Sequence, residues 1–262
     1  MSRYDNNLTV VGAGSAGLIA ALIAATVKAR VTLVEKGAMG GDCLNTGCVP
    51  SKTLIRSAKV AHEMRQAQHY GNAAVDPEVD FAAVMERVAA AIRTIEPKDS
   101  MARYTELGVN WVAGEATIEA PHHVRVGDQL ISTRSIVIAS GARPFVPPIP
   151  GLAEAQPLTS DNLWSLRDLP DRLLVMGGGP IGCELAQAFS RLGAQVTLID
   201  MESRLLPRED PEVSEFMAGV LREEGVDVRL GHRAVEVGSD QLRAQTDSGE
   251  VQIAFDRVLV AV

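Results

Sequence analysis

Leu8-Thr9-Val10-Val11-Gly12-Ala13-Gly14-Ser15-Ala16-Gly17 is an apolar strand that runs straight into a glycine turn. In Gly12-x-Gly14-x-x-Gly17 the first glycine permits the tight turn. The second lets a pyrophosphate approach the backbone, and the third lets the following helix pack closely on the strand. That helix, read over Leu18–Val27, directs the partial positive charge of its N-terminus at the phosphates. Arg30–Val34 reads as the return strand of a βαβ unit. Glu35 closes it eighteen residues after Gly17, where an acid accepts hydrogen bonds from ribose hydroxyls. A bare glycine turn is weak evidence. With strand, helix and terminal acid in place, dinucleotide binding outweighs the alternative, a tight βα turn with no ligand.

The pattern returns further along. Arg172–Met176 reads as a strand, Gly177-Gly178-Gly179-Pro180-Ile181-Gly182 as a second glycine turn, Cys183–Leu192 as a helix, and Gln195–Ile199 as a strand ending at Asp200. The predicted fold class is therefore α/β, with two tandem Rossmann-like dinucleotide-binding domains holding two cofactors, or one cofactor and one relic. Asp200 suits a ribose 2′-hydroxyl and repels a 2′-phosphate, and Gly rather than Ala at 182 points the same way, so NAD is favoured over NADP. Arg204 stands close enough to accept an extra phosphate; its other reading is a solvated surface charge. Pro144, Pro147, Pro148 and Pro150 with Gly151 form the clearest linker. The boundary falls there, giving a first domain over 1–150 and a second over 151–262.

Between the turns, helices are predicted over Leu54–Ala67 and Phe81–Ile95. In the second, Phe81, Val84, Met85, Val88, Ile92 and Ile95 recur at helical spacing, and Pro97 ends or kinks it. Short strands are predicted at Asn110–Ala113, His123–Val126 and Ile136–Ala139. Arg257–Val262 reads as a strand with no return element, and the expectation is a fragment whose second domain is incomplete.

Composition narrows the function. A chain of 262 residues that is 46% hydrophobic and 22% charged builds about two ordinary cores. Acids outnumber bases 33 to 25, for a net charge of −8, so no basic field attracts nucleic acid. Three cysteines argue against a secreted disulfide framework and make the cytoplasm the default compartment. Met1–Asn7 is polar and lacks a signal pattern. Leu8–Ala29 is apolar enough to raise a membrane span, but three glycines interrupt it and the remaining helix is too short for a bilayer. A helix buried on a sheet accounts for it.

The run Gly40-Gly41-Asp42-Cys43-Leu44-Asn45-Thr46-Gly47-Cys48-Val49-Pro50-Ser51-Lys52 carries the chemistry. Gly47 eases a chain reversal that lets the two sulfurs meet. Pro50 is tolerated in a first helical turn, which puts Cys48 at a helix start, where the dipole and nearby Lys52 favour a thiolate. Zinc would need more ligands than the neighbouring sequence supplies, so no metal is assigned. Two unrelated cytosolic thiols is the plain reading of the spacing alone. The glycine turn and Glu35 tip the balance to a redox centre beside a flavin. Cys183, early in an apolar helix, reads as a small buried hydrophobe. The five histidines, at 62, 69, 122, 123 and 232, show no catalytic spacing.

The run from Gly40 to Lys52 resembles the active-site signature of the class I pyridine nucleotide–disulfide oxidoreductases. Both glycine turns, Ile138-Ala139-Ser140-Gly141-Ala142-Arg143-Pro144 and Gly179-Pro180-Ile181-Gly182-Cys183-Glu184 extend the likeness over the whole chain. The resemblance implies FAD and NAD as cofactors, with Cys48 the sulfur facing the flavin and Cys43 the interchange thiol. It pairs Lys52, near the flavin, with Glu184. It has Glu35 hold the FAD ribose, with Ser15, Ala16, Lys36, Gly41, Asp42, Gly114, Ala116, Ser140 and Gly141 lining that cofactor. Gly177, Gly179, Pro180, Ile181, Gly182 and Asp200 line the NAD. Pro50-Ser51-Lys52 resembles the lipoamide and mercuric branches, and Leu54-Ile55-Arg56-Ser57-Ala58 leans to the mercuric one. A small disulfide or thiol-reactive substrate and a homodimer follow from the same likeness. So do central and dimerisation domains beyond this sequence, the latter supplying a His–Glu acid–base pair. A non-catalytic nucleotide-binding relative is the rival.

Overall fold

A computed structural model describes residues 3–262; Met1 and Ser2, the start of the polar N-terminal stretch, lie outside it. The chain divides into two compact units, Met1–Pro50 with Ala89–Ala142, and Ser51–Val88 with Arg143–Val262.

The first unit is built on β1 (Asn6–Val11), β2 (Val31–Glu35), β3 (Val109–Ala113), β4 (Ala116–Ala120), β5 (His123–Val126) and β6 (Gln129–Ile138), in the order β3-β2-β1-β6-β5-β4. β3, β2, β1 and the end of β6 run parallel; β5 and β4 are antiparallel. Parallel neighbours require a crossover, and α1 (Ser15–Thr26) makes the one from β1 to β2. It has no charged residue and buries Gly17, Leu18, Ala21 and Ala25. Leu18, Ala21 and Ala25 join Val10, Val31, Leu33 and Val109 in one core. Val31 to Val34 are all buried, as expected of a strand covered on both faces.

Four helices follow β2: α2 (Gly41–Asn45), α3 (Cys48–Arg65), α4 (Phe81–Ile95) and α5 (Met101–Glu106). α3 and α4 pass from one unit into the other.

The second unit repeats the plan. β7 (Arg172–Met176), β8 (Gln195–Ile199), β9 (Asp227–Arg229) and β13 (Arg257–Val260) form a parallel sheet in the order β13-β7-β8-β9. α6 (Pro180–Leu192) joins β7 to β8 and α7 (Pro211–Glu223) joins β8 to β9. β10 (Arg233–Val237), β11 (Gln241–Thr246) and β12 (Gly249–Ala254) make an antiparallel meander. In each unit the last strand returns beside the first, β6 against β1 and β13 against β7. Phe81 of α4 meets Phe189 of α6, ring centres 5.8 Å apart.

Several predicted boundaries move. α3 begins at Cys48, the helix start that Pro50 implied, and runs on through the helix read from Leu54, ending at Arg65 rather than Ala67; a proline three residues into a helix forfeits no hydrogen bond. α1 and α6 begin inside their turns, at Ser15 and Pro180. β6 starts at Gln129 instead of Ile136: its first half pairs with β5 and its second half with β1. β13 ends at Val260, short of Val262.

Candidate functional site

The two glycine turns solve one steric problem twice. Gly12 and Gly177 have φ of 102° and 113°, and a Cβ on either would lie 2.2 Å from the Ala139 carbonyl oxygen or 2.5 Å from that of Ala261. These oxygens stand one residue beyond the strand returning beside the first, so each turn is folded tightly against its neighbour. At the third position a Cβ on Gly17 would lie 1.8 Å from the Gly12 oxygen, and one on Gly182 1.9 Å from the Gly177 oxygen. Both helices start pressed against their own turn. The middle glycines differ: a Cβ on Gly179 would meet nothing within 4 Å, and one on Gly14 would meet only the Gly41 Cα, at 3.6 Å.

Gly14 and Gly179 are the N-cap residues of α1 and α6, and neither helix start has a side-chain cap. The first N–H groups of each helix therefore lack an intrahelical partner. With open space over Gly179 and a backbone-only lining at Gly14, these are cradles that fit a pyrophosphate. The residues present thus suit the pyrophosphate of a dinucleotide such as FAD or NAD in each unit. Glu35 and Asp200 close β2 and β8 beside the turns, and their oxygens accept backbone N–H groups from Ala13 and Gly178. The Gly114 N–H donates to the Glu35 carbonyl at 2.9 Å, holding Gly114 at the end of β2, and Ala116 opens β4 two residues on. Ser140 and Gly141 lie just past the end of β6, which pairs with the end of β1, and Gly141 takes a φ of 68°. Lys36 turns outward to an ion pair with Glu115. Pro180 opens α6, with Ile181 half exposed beside it.

The cysteine run folds back onto the first turn. The Gly40 N–H donates to the Ala13 carbonyl at 2.9 Å. A Cβ on Gly41 would lie 2.5 Å from the Gly14 Cα, so that contact is backbone on backbone. α2 carries Cys43 through one turn, and the Asp42 carbonyl accepts the Thr46 N–H at 2.9 Å and the Gly47 N–H at 2.5 Å. Gly47 is required by closeness: its Cβ would lie 2.9 Å from the Asp42 oxygen. The reversal sets Cys48 as the first residue of α3.

Cys43 and Cys48 are both thiols here, and their side chains hydrogen-bond. That bond raises the Cys43 thiol above its ordinary range, burial adds to the rise, and the Ser15 hydroxyl opposes it. The Cys43 proton is thereby held more tightly than in an ordinary thiol. Cys183 is buried, and burial with the nearby Asp200 charge pushes its thiol up to about 11; it is inert packing, as its sequence context implied.

In the second unit the Lys52 ammonium donates to a Glu184 oxygen at 2.6 Å, both side chains about half exposed. The Arg204 guanidinium donates to the Pro207 carbonyl at 2.7 Å. A mostly apolar recess of about 330 Å³ lies beside Asp200, lined by Phe145, Met201, His232 and Arg233 among others. Nothing in the local sequence marks these four, because the loops around β8 and β10 gather them from distant positions. A larger recess of about 690 Å³ lies where α3, α6 and α7 end. Its wall holds the largely buried Arg191–Glu224 pair at 2.6 Å.

The pyridine nucleotide-disulphide oxidoreductase family model matches residues 6–262. The chain belongs to this family. Its fold is accordingly the FAD- and NAD(P)-binding one, the α/β class expected from the paired turns. Mercuric reductase of Staphylococcus aureus is 34% identical over 98% of this chain and 48% of its own length. Dihydrolipoyl dehydrogenase of Acholeplasma laidlawii is 30% identical over 98% of this chain and 78% of its own. The solved structure of the HOCl-induced flavoprotein disulfide reductase RclA from Escherichia coli superposes with a TM-score of 0.81 at 29% identity, covering 97% of this chain and 56% of that one. The chain spans about half the length of the mercuric reductase and RclA. Among the described residues, no helix is long and apolar enough to cross a membrane, and no group of His, Cys, Asp and Glu forms a metal site.

Proposed function

We propose that the full-length protein is an FAD-dependent oxidoreductase of the dihydrolipoamide dehydrogenase or mercuric reductase kind, passing electrons between NAD(H) and the Cys43–Cys48 pair. The observation that carries this reading is the hydrogen-bonded thiol pair folded backbone-to-backbone onto a phosphate-binding turn. FAD and NAD(H), when bound, supply hydride and electron-pair transfer.

The chain's own residues do the rest. Gly12, Gly14 and Gly17 admit the FAD pyrophosphate and Glu35 its ribose; Gly177, Gly179, Gly182 and Asp200 do the same for NAD. The region over 1–150 is read as the FAD domain and 151–262 as the NAD domain. Opening the Cys43–Cys48 disulfide takes two electrons and two protons and leaves two thiols. Cys48, at the start of a long helix, is the sulfur that best carries negative charge. Cys43, carried in the short helix α2, is the one that attacks substrate. Its raised thiol means that it gives up its proton as it attacks, and the Cys48 sulfur it already bonds is the nearest acceptor. Lys52, held by Glu184, keeps a positive charge near the cofactor side of Cys48. Asp200 favours NAD over NADP.

The substrate class is a small disulfide or a thiol-reactive ion, the working assembly is a homodimer, and the compartment is the reducing cytoplasm. The test is NADH consumption by the full-length protein with lipoamide, glutathione disulfide or mercuric ion. Turnover with one of them that is abolished in both Cys43→Ser and Cys48→Ser supports the reading. Turnover that survives either substitution overturns it.

A further inference from the structure

Glu35 and Asp200 do the same unassigned work in the two units. The Glu35 Oε2 accepts the Ala13 N–H at 2.6 Å while its Oε1 accepts the Gly37 N–H at 2.7 Å. The Asp200 Oδ2 accepts the Gly178 N–H at 2.5 Å while its Oδ1 accepts the Glu202 N–H at 2.7 Å. Ala13 and Gly178 hold the same place, directly after the first glycine of each turn. Gly37 and Glu202 each stand two residues beyond their acid. A long acid and a short one thus reach the same pair of amides in two separately built units.

We propose that Glu35 and Asp200 are positioning residues that lock their own phosphate turns in shape, each carboxylate tying the turn to the loop beyond its strand. The lock does not depend on a cofactor; its bearing on cofactor affinity rests on the dinucleotide sites proposed above. An ionised carboxylate oxygen has about two acceptor sites, so each oxygen that holds one amide can still take a ribose hydroxyl. One carboxylate therefore couples the ribose to the turn that receives the pyrophosphate. An amide side chain cannot replace it: its single oxygen serves one backbone N–H, and its NH₂ confronts the other. Changing Asp200 to admit a 2′-phosphate would accordingly loosen the turn as well as alter the ribose contact.

The test is backbone amide exchange in the 262-residue chain without added cofactor, followed by calorimetric titration with NADH. In Asp200→Asn the Gly178 amide should exchange about tenfold to a hundredfold faster, the range for losing a hydrogen bond to a charged acceptor. Glu35→Gln should do the same to Ala13 in the other unit. Unchanged protection of Gly178 in Asp200→Asn, with NADH affinity reduced, overturns the proposal, since the acid then contacts only the ribose. Faster exchange at Gly178 in a chain whose wild type binds no NADH upholds the lock and overturns the cofactor reading instead. If a variant fails to fold, the wild type decides: Ala13 and Gly178, whose acceptors are carboxylates, should exchange slowly. Exchange there at the rate of an unbonded amide overturns the proposal.

Discussion

Alanine at Gly179 and alanine at Gly182 should have opposite consequences. A Cβ at 182 falls 1.9 Å from the Gly177 oxygen, whereas real Cβ contacts essentially never come under 3.0 Å. Both atoms are anchored, the oxygen in the turn and the Cβ in the first turn of α6, so the helix start must withdraw from β7. Cys183, Leu185, Ala186 and Phe189 are all buried behind it, so that withdrawal opens the core. Overpacking of this kind costs about 2–3 kcal/mol, which lowers a melting midpoint by about 4–12 °C in a chain of this size. At Gly179 the φ is −74° and the Cβ position is open. Gly179→Ala should shift stability by less than about 1 kcal/mol, yet place a methyl where the pyrophosphate must approach, weakening NADH binding by about tenfold or more. Thermal unfolding by circular dichroism and calorimetric NADH titration separate the two. A Gly179→Ala chain that melts as low as Gly182→Ala, or binds NADH like wild type, would refute the division of labour between the glycines.

Three other outcomes are expected. Cys48→Ala removes the main cause of the raised Cys43 thiol, so the pH profile of Cys43 alkylation should move to lower pH; a profile that stays or rises counts against the thiol hydrogen bond. Cys183 has a folded value of about 11 against an ordinary 9.0, so its contribution to stability is complete below pH 9 and is lost as pH rises toward 11. Melting followed against pH should show a smaller alkaline loss in Cys183→Ala than in wild type. Glu224→Ala should cost about 2–3 kcal/mol in urea titration because it strands a largely buried arginine, whereas Glu184→Ala, whose pair with Lys52 is half exposed, should cost less than about 1 kcal/mol.

The parts legible in the sequence are those where backbone must pass close to backbone. Gly12, Gly17, Gly177 and Gly182 each stand where a methyl group would strike a carbonyl oxygen, so the turns announce both Rossmann units. Phe81–Ile95 was legible because its buried residues Phe81, Met85 and Val88 keep helical spacing. The meander β10–β12 was not. Its strands are short and its outer face is charged, with Arg243 of β11 bonding Glu236 of β10 and Glu250 of β12; those pairings exist only after folding. α7 does carry a start signal, Asp210 before Pro211, but Val213 and Phe216 stay exposed on it, so no single apolar stripe marks its inner face. In the candidate site the acids at the strand ends were readable by position. Their grip on the Ala13 and Gly178 amides was not, since it depends on side-chain direction.

The central claim is that electrons from NADH reach the Cys43–Cys48 pair through a flavin bound at the first glycine turn. Anaerobic NADH titration of the flavin-loaded full-length protein, with thiols counted by a chromogenic disulfide reagent at each step, tests it most directly. The account expects two thiols to appear per chain with the first equivalent of NADH, together with a long-wavelength absorbance that vanishes in Cys48→Ser. Flavin that bleaches with no gain of thiols, or a long-wavelength band that persists in Cys48→Ser, would contradict it.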